Sequence, residues 1–527
     1  MSSFNFYIWS IILLCYNVDS ANILGLFPHT GKSHHMVIEP FLRRLAERGH
    51  NLTVASFFPM QDPPPNVHDI SFQGIYELRL ESIDLNEFEN ENILYKVPII
   101  GSVAKQILPV KPFATAAVKI CERLIDFQPL TDALKGDYDL VLVENFMSDC
   151  VLGLHYVYRM KAPLLGLVSG SRMPWTMARL GAVDNPSYVP TITTSFTSHM
   201  SFMERLENTL TSIAFHEWHH REILMKEREI LEKKFGNIPD LRDLGRNTSM
   251  IFMNTFHVFS GAMPLVPGLV EVGGMHLSSK LKPIPQYIER FLNESEHGVV
   301  LFSFGSHLRT STLPKYKEQI FINALSKLKQ RVVWKYEGSD AEGTQFGNIL
   351  RVKWLPQYEL IQHKKVVAFI SHGGMLGMTE AVSAGKPTVV VPFFADQHLN
   401  AAAAAEAGFA TVLSYADLTE ASLTRALQAV LRKETVAKAR QVSQMWHDRQ
   451  SLPLDTAVFY AERTIRWGHN AKLYSKGRDL PIYQLALIDV AVTILVAIVV
   501  LLALITYLIV KVLNLLTKVK RLKVKVN

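Results

Sequence analysis

The sequence predicts an α/β protein of two tandem doubly wound domains followed by one membrane-spanning helix. Three observations carry this. A βαβ pattern opens the chain, a second strand-and-helix series begins near Gly298, and an uncharged apolar run lies near the end. With 527 residues, 48% of them hydrophobic, the chain exceeds one ordinary core and is expected to divide into domains of roughly 200 residues.

Taken in order, Ser3–Cys15 is hydrophobic and is followed by the polar Tyr16–Ser20, the layout of a secretory signal peptide over 1–20. It has no Lys or Arg before the apolar run, so an uncleaved anchor is the alternative. Asn22–Phe27 reads as a buried strand and His29–Ser33 as a loop. Val37, Ile38, Phe41, Leu42, Leu45 and Ala46 form one face of a helix that Gly49 ends, and Leu52–Ser56 is the next strand. Asp139–Val143 and Leu164–Val168 extend the same parallel sheet. The irregular stretch 172–234, rich in aromatics, methionines and prolines, suits a variable binding wall. The first domain is therefore expected over 21–260. A linker over 261–290 is marked by Pro264, Pro267, Gly268, Gly273, Gly274, Pro283 and Pro285. The second domain, 291–484, has strands at Val299–Phe304, Val332–Tyr336, Ile349–Val352, Val366–Ile370 and Thr388–Val391, then closing helices over Thr419–Trp467.

The formal charge of +7 is misleading, because Lys511, Lys518, Lys520, Arg521, Lys523 and Lys525 hold six of the seven excess positive charges. The rest of the chain carries about +1, which excludes the broad basic footprint of a nucleic-acid binder. Val490–Val510 is uncharged and long enough to cross a bilayer, which places a transmembrane helix at 485–510 and a basic tail at 511–527. The positive-inside rule then puts the tail in the cytosol and the body on the other side, the topology of a single-pass type I protein. The lipid bilayer is thus an expected partner, and a homo-oligomer is left open. Cys15 leaves with the signal; Cys121 and Cys150 make at most one disulfide, and two buried apolar thiols is the preferred reading. Sequons stand at Asn51, Asn247 and Asn293, of which Asn51 opens a strand and is expected to stay unmodified.

Chemistry concentrates between Trp354 and Asn400. His372-Gly373-Gly374 lies where a strand gives way to a helix, so free backbone N–H groups and the helix dipole face an anion such as a pyrophosphate, and His372 adds a donor. Glu380, one to two turns on, suits ribose hydroxyls. Trp354 offers a flat face for a base and Gln357 an amide for its edge or the ribose. Asp396 and Gln397 follow a strand and suit sugar hydroxyls, and Ser306 suits a phosphate. At the other end of the chain His34 follows the first strand, where α/β domains place ligands, and an imidazole suits removal of a hydroxyl proton. His29 and His35 compete for that role. Glu144, after the Asp139–Val143 strand, is the carboxylate expected to orient the base, with Asp149 second.

Together, Trp354-Leu-Pro-Gln357, Phe369-Ile-Ser-His-Gly-Gly374, Glu380, Pro387, Pro392 and Asp396-Gln397 resemble the UDP-glycosyltransferase family in its animal membrane-bound branch. The likeness extends to Gly31-Lys-Ser-His34, Asn185-Pro-Ser-Tyr-Val-Pro190, Glu271-Val-Gly-Gly274, the anchor and the tail, and looks insect-like. It implies a GT-B fold, two Rossmann-like domains facing a cleft, and inverting transfer of a hexose from a UDP-sugar to a small lipophilic acceptor. UDP-glucose is the preferred co-substrate, UDP-glucuronic acid the second. It also implies His34 as base and no cofactor. No metal is expected, since no acidic pair of the DxD type flanks the phosphate turn. Relatives often carry Asn or Ser where Leu376 and Gly377 stand, so one polar phosphate contact is expected to be missing. Lys523 and Lys525, fifth and third from the end, resemble the dilysine retrieval signal of endoplasmic-reticulum membrane proteins. Two rivals are weaker. A dinucleotide-dependent oxidoreductase lacks its G-x-G-x-x-G after either first strand, and a silent binding protein of the same fold would not need His34 with Glu144.

Overall fold

The computed structural model describes residues 20–78, 83–89, 97, 99–278, 280–340, 343–471 and 473–526, so the expected signal peptide lies outside the described residues apart from Ser20. Two compact units emerge, one ending at Tyr474 and one beginning at Ser475.

The larger unit holds two seven-stranded sheets. The first contains β1 (Asn22–Phe27), β2 (Asn51–Ser56) and β3 (Val67–Ser71), then, after a short extended piece β4 (Ile83–Asp84), β5 (Leu140–Glu144), β6 (Leu164–Val168), β7 (Thr248–Met253) and β8 (Leu269–Glu271). Their order is β3-β2-β1-β5-β6-β7-β8, all pairs parallel. Central strands such as β5 are buried along their whole length, as a sheet covered by helices on both faces requires. The second sheet contains β9 (Val299–Ser303), then, after β10 (Leu308–Arg309), β11 (Arg331–Lys335), β12 (Thr344–Phe346), β13 (Ile349–Val352), β14 (Val366–Ser371), β15 (Thr388–Val390) and β16 (Ala410–Val412). Its order is β12-β13-β11-β9-β14-β15-β16, parallel except for the β12–β13 hairpin. In each sheet the strand order reverses beside the first strand, between β1 and β5 and between β9 and β14. These crevices are where doubly wound folds bind ligands.

The structure redraws the expected division at two places. Leu269–Glu271, inside the anticipated linker 261–290, is the last strand of the first sheet. The helix Pro453–Trp467, expected to close the second domain, packs on the helix Lys32–Glu47 of the first. Ala457, Val458 and Ala461 join a core cluster with Val37, Phe41 and Leu45, and Arg48 Nε donates to Glu462 Oε1 at 2.9 Å. The chain thus returns to its starting domain, and that helix links both.

Cys121 and Cys150 form a disulfide, against the expectation of two free thiols. Both sulfurs are fully buried, one at the end of the helix Ile100–Leu124, the other at the start of Cys150–Val157. Proximity in space, which spacing in sequence does not encode, decides the pairing. Replacing both by alanine is expected to cost the first domain about 3–4 kcal/mol, the loop-closure entropy of a 29-residue separation. The check is a lower melting midpoint without reductant and matching midpoints for parent and variant with it.

In the smaller unit the helix Ile488–Val526 follows the short helix Ile482–Leu485. Its span Ile488–Arg521 has a mean hydropathy of 3.1 and none of its most apolar window is buried. The charge-free Val490–Val510 run, at 1.5 Å per residue, measures about 31 Å, the thickness of a bilayer's hydrocarbon core.

Candidate active site

A cleft of about 2230 Å³ opens between the carboxyl ends of the two sheets. On the first-domain side β1 ends at Phe27, and the helix Lys32–Glu47 begins five residues later, so His34 stands in its first turn and not in a loop. Glu144 is the last residue of β5, the neighbour of β1 across the switch point. His34 Nδ1 lies 2.5 Å from Glu144 Oε1, and Ser169 Oγ donates to the same oxygen at 3.1 Å. The longer Glu144 side chain therefore reaches the imidazole. Burial by itself would raise the Glu144 carboxyl, but the nearby His34 and His29 and the hydrogen bonds from His34 and Ser169 outweigh it and hold the group below its usual range. With Nδ1 committed to a carboxylate, Nε2 is the atom of His34 left to take a proton.

The competing histidines are differently placed. The His29 ring stacks on His34 with centroids 4.1 Å apart, and its Nδ1 accepts from Gly31 N–H at 2.9 Å. Burial, with the adjacent His34, pushes its pKa down to about 3. His35 is buried, and neither ring nitrogen has a hydrogen-bond partner among the described residues. Phe146 closes the group edge-on to both stacked rings. Ligand atoms of His29, His34 and Glu144 lie within 4.8 Å of one another. A cation there would have to displace the His34–Glu144 hydrogen bond, and nearly parallel imidazoles aim their lone pairs side by side, unlike a tetrahedral ligand set.

Asp149 does not serve His34. Arg179 Nη2 donates to both its oxygens, at 2.6 and 2.5 Å, in a fully buried pair. The loop between Glu144 and Asp149 is held from behind: Ser148 Oγ and Asp149 N–H donate to the buried Glu227, at 2.6 and 2.9 Å, and His219 Nε2–H donates to Met147 O at 2.7 Å. Burial raises Glu227 to about 8. Arg179, His219 and Glu227 come from 172–234, which the sequence reads as irregular but which the structure shows to hold the helices Pro174–Arg179, Phe202–His219 and Met225–Phe235; no sequence pattern marked these three.

On the second-domain side, His372, Gly373 and Gly374 join β14 to the helix Met375–Ser383. Gly373 has φ +88°, and a Cβ there would meet the Gln397 carbonyl oxygen at 2.9 Å. A Cβ on Gly374 would meet His372 Nε2, so the half-buried imidazole occupies the space the glycine leaves. Burial, with His307 and Lys335 adding to it, takes His372 down to about 3, so it is a neutral ring, and its Nδ1 has no hydrogen-bond partner among the described residues. Ser306 lines the cleft in the turn after β9, next to His307, which the sequence did not single out and which burial, then His34 and Lys335, takes down to about 4. Trp354 is 58% exposed, and Lys32 Nζ lies 5.7 Å from its ring centroid. Gln357 Nε2 donates to Glu380 Oε2 at 2.6 Å, and burial raises that carboxyl to about 7. Leu376 packs on the first domain's core cluster, and a Cβ on Gly377 would have Gln357 Nε2 as its nearest neighbour, at 3.4 Å.

Asp396 and Gln397 stand at the end of the turn that begins at Phe393. The Gln397 side-chain oxygen accepts from Phe393 N–H at 2.9 Å and Phe394 N–H at 3.2 Å. Both of its lone pairs are used, which leaves the amide NH₂ as the part free to meet a ligand. Asp396 Oδ2 accepts from Ser171 N–H of the first domain at 3.3 Å. Of the expected residues, His34, Ser306, Trp354, Gln357, His372, Gly374, Glu380, Asp396 and Gln397 line the cleft, while Glu144 stands behind His34 and Gly373 behind the turn.

The family described as "UDP-glucoronosyl and UDP-glucosyl transferase" matches residues 24–524. "UDP-glycosyltransferase UGT5" of Dactylopius coccus is 36% identical over 484 residues, covering 89% of this chain and 88% of that protein. "UDP-glucosyltransferase 2" of the same species is 34% identical over 488 residues, covering 91% and 90%. A solved UDP-glucosyltransferase from Polygonum tinctorium shares the fold with a TM-score of 0.56 at 13% identity, covering 85% of this chain and 99% of that one. The chain therefore belongs to the UDP-glycosyltransferases, GT-B enzymes that move a glycosyl group from a UDP-sugar to an acceptor.

Proposed function

We propose that the enzyme transfers glucose from UDP-glucose to the hydroxyl of a small lipophilic acceptor with inversion at the anomeric carbon. The observation that carries this is the His34–Glu144 pair, 2.5 Å apart, facing the glycine turn of the second domain across one cleft. His34 Nε2 takes the acceptor's proton as its oxygen attacks the anomeric carbon. The bond to UDP breaks on the opposite face, and its electron pair stays on the diphosphate oxygen. Glu144 stabilises the imidazolium that forms. The Gly373–Gly374 amides, the helix N-terminus behind them, His372 and Ser306 hold the leaving diphosphate. Trp354 and Gln357 take the uracil, Glu380 the ribose hydroxyls, and Asp396 and Gln397 the sugar. Leu108, Pro109, Pro112 and Phe113 give the acceptor an apolar wall. Glucose is preferred over glucuronic acid because one of the Dactylopius relatives, 34% identical, is named a glucosyltransferase.

Incubating the full-length protein in membranes with a phenol and each donor in turn tests this. A β-glucoside formed faster than a glucuronide is expected. Faster glucuronide formation would overturn the sugar, and an α-glucoside the inversion. Glu380 adds a pH signature. Its carboxyl, raised to about 7, must ionise to accept two ribose hydroxyls, so UDP-glucose affinity should strengthen as pH rises from 6 to 8. The change should approach about tenfold per unit below 7. Titration calorimetry on Glu380→Gln should show the slope gone.

We also infer residence in the endoplasmic-reticulum membrane with the catalytic unit in the lumen. The disulfide suits an oxidising compartment, and the basic tail after the apolar helix suits the cytosol. Replacing Lys523 and Lys525 by serine should move the protein to the cell surface; an unchanged reticular pattern by microscopy would place retention elsewhere.

A further inference from the structure

The segment Ile83–Glu89 belongs to the first domain by sequence but is built into the second. Ile83 and Asp84 pair with Leu308 and Arg309 as a two-stranded parallel ladder. Leu85 is fully buried within the second domain's core cluster, its N–H donating to Thr312 Oγ1 at 2.9 Å. Glu89 pairs with the buried Lys317 at 2.9 Å, and the Lys317 ammonium lies 3.6 Å from the Tyr415 ring centroid. Tyr415 OH in turn donates to Leu85 O at 3.3 Å. Such a buried, paired charge together with a ladder and a core leucine marks a strap with one docked position.

Phe88 is what the strap carries. Its ring meets Phe393 edge-on at 5.2 Å and lies nearly parallel to Phe394 at 6.2 Å. Those two residues open the turn that ends in Asp396 and Gln397, and the turn is strained, because Ala395 has φ +55°. The Gln397 side chain braces it from within through Phe393 and Phe394 N–H. Phe88 braces the same two residues from the other domain. The geometry points to Phe88 as a positioning residue for the donor sugar: docked by the strap, it holds the 393–397 turn in the conformation that presents Asp396 and the Gln397 amide. This rests on the reading that Asp396 and Gln397 hold the sugar.

The test compares UDP with UDP-glucose on the full-length protein. Phe88→Ala should weaken UDP-glucose binding and lower turnover by about tenfold each, while UDP affinity stays within about twofold, because uracil, ribose and phosphate contacts lie elsewhere. Phe88→Tyr, which keeps the ring, should restore both. Phe88→Leu, which keeps apolar volume without the ring, should show a smaller loss of the same selective kind and serves if the alanine variant does not accumulate folded. Equal loss of UDP and UDP-glucose affinity, or no loss of either, in the leucine and alanine variants overturns the proposal. Asp396→Ala run alongside separates the two failures. If it is selective for UDP-glucose and the Phe88 variants are not, the strap's role alone falls. If it weakens UDP equally, the sugar assignment falls and the strap's role with it.

Discussion

Replacing His34 by alanine is expected to leave UDP-glucose affinity nearly unchanged while turnover falls by roughly 10²–10⁴-fold, the contribution of a positioned general base. The donor contacts proposed above all lie on the other wall of the cleft, so the loss should appear in the chemical step and not in donor binding. Nitrophenols, whose hydroxyls are already acidic, need less help from a base and should retain more activity than aliphatic alcohols. Glu144→Ala should show a weaker form of the same pattern, since His34 would lose its orienting partner but keep its place in the helix Lys32–Glu47. Residues that act as a unit are not additive, so the double variant should be little worse than His34→Ala. Neither rival is built to take over: His29 has its Nδ1 tied to Gly31 N–H and is held neutral by burial, and His35 is buried 3.9 Å from Glu39. Full turnover of an aliphatic alcohol by His34→Ala, measured by UDP release, would sink the assignment.

What the sequence makes legible here is local. The buried runs Asn22–Phe27 and Val299–Ser303 and the glycine turn at His372–Gly374 announce themselves, because period, apolar run and backbone permissiveness are properties of neighbouring residues. Two doubly wound domains in tandem follow from two such series, and the GT-B arrangement is what the family resemblance implies. The return of Pro453–Trp467 to the first domain does not, since that helix is amphipathic whichever partner buries it. The Cys121–Cys150 bond, the Glu89–Lys317 pair and the crossing of Ile83–Glu89 join residues that only the fold brings together. At the site the same division holds. His34, His372 and Asp396 sit in recognisable strings, whereas His307, Ser169 and Ser171 sit in loops whose residues could face anywhere. Asp149 shows the cost of reading position alone: five residues after Glu144, it looks equally able to orient a base, yet its oxygens are both taken by Arg179.

That pair carries the second large effect. Arg179→Met should destabilise the first domain by about 3–5 kcal/mol at neutral pH, because it leaves a buried carboxylate without its cation. Burial already raises Asp149 even against the opposing pull of Arg179, so without the arginine its folded pKa would lie far above the unfolded value of about 3.9. The sign follows from the proton count. The folded variant then binds a proton that the unfolded chain has released, so its stability falls as pH rises above the unfolded value and levels off only beyond the folded one. The parent should show less of this slope. Asp149→Leu combined with Arg179→Met removes the stranded charge and should recover most of the loss, as apolar replacements of buried ion pairs do. Thermal melts of the single and double variants between pH 5 and 8 decide it. Equal stability of Arg179→Met and its parent across that range would mean that Asp149 finds another partner. Because this pair anchors the loop that begins at Glu144, the single variant should also lose turnover beyond the loss of folded fraction, with a lower rate per folded molecule. A per-folded-molecule rate that stays normal would show that the loop holds Glu144 in place without it.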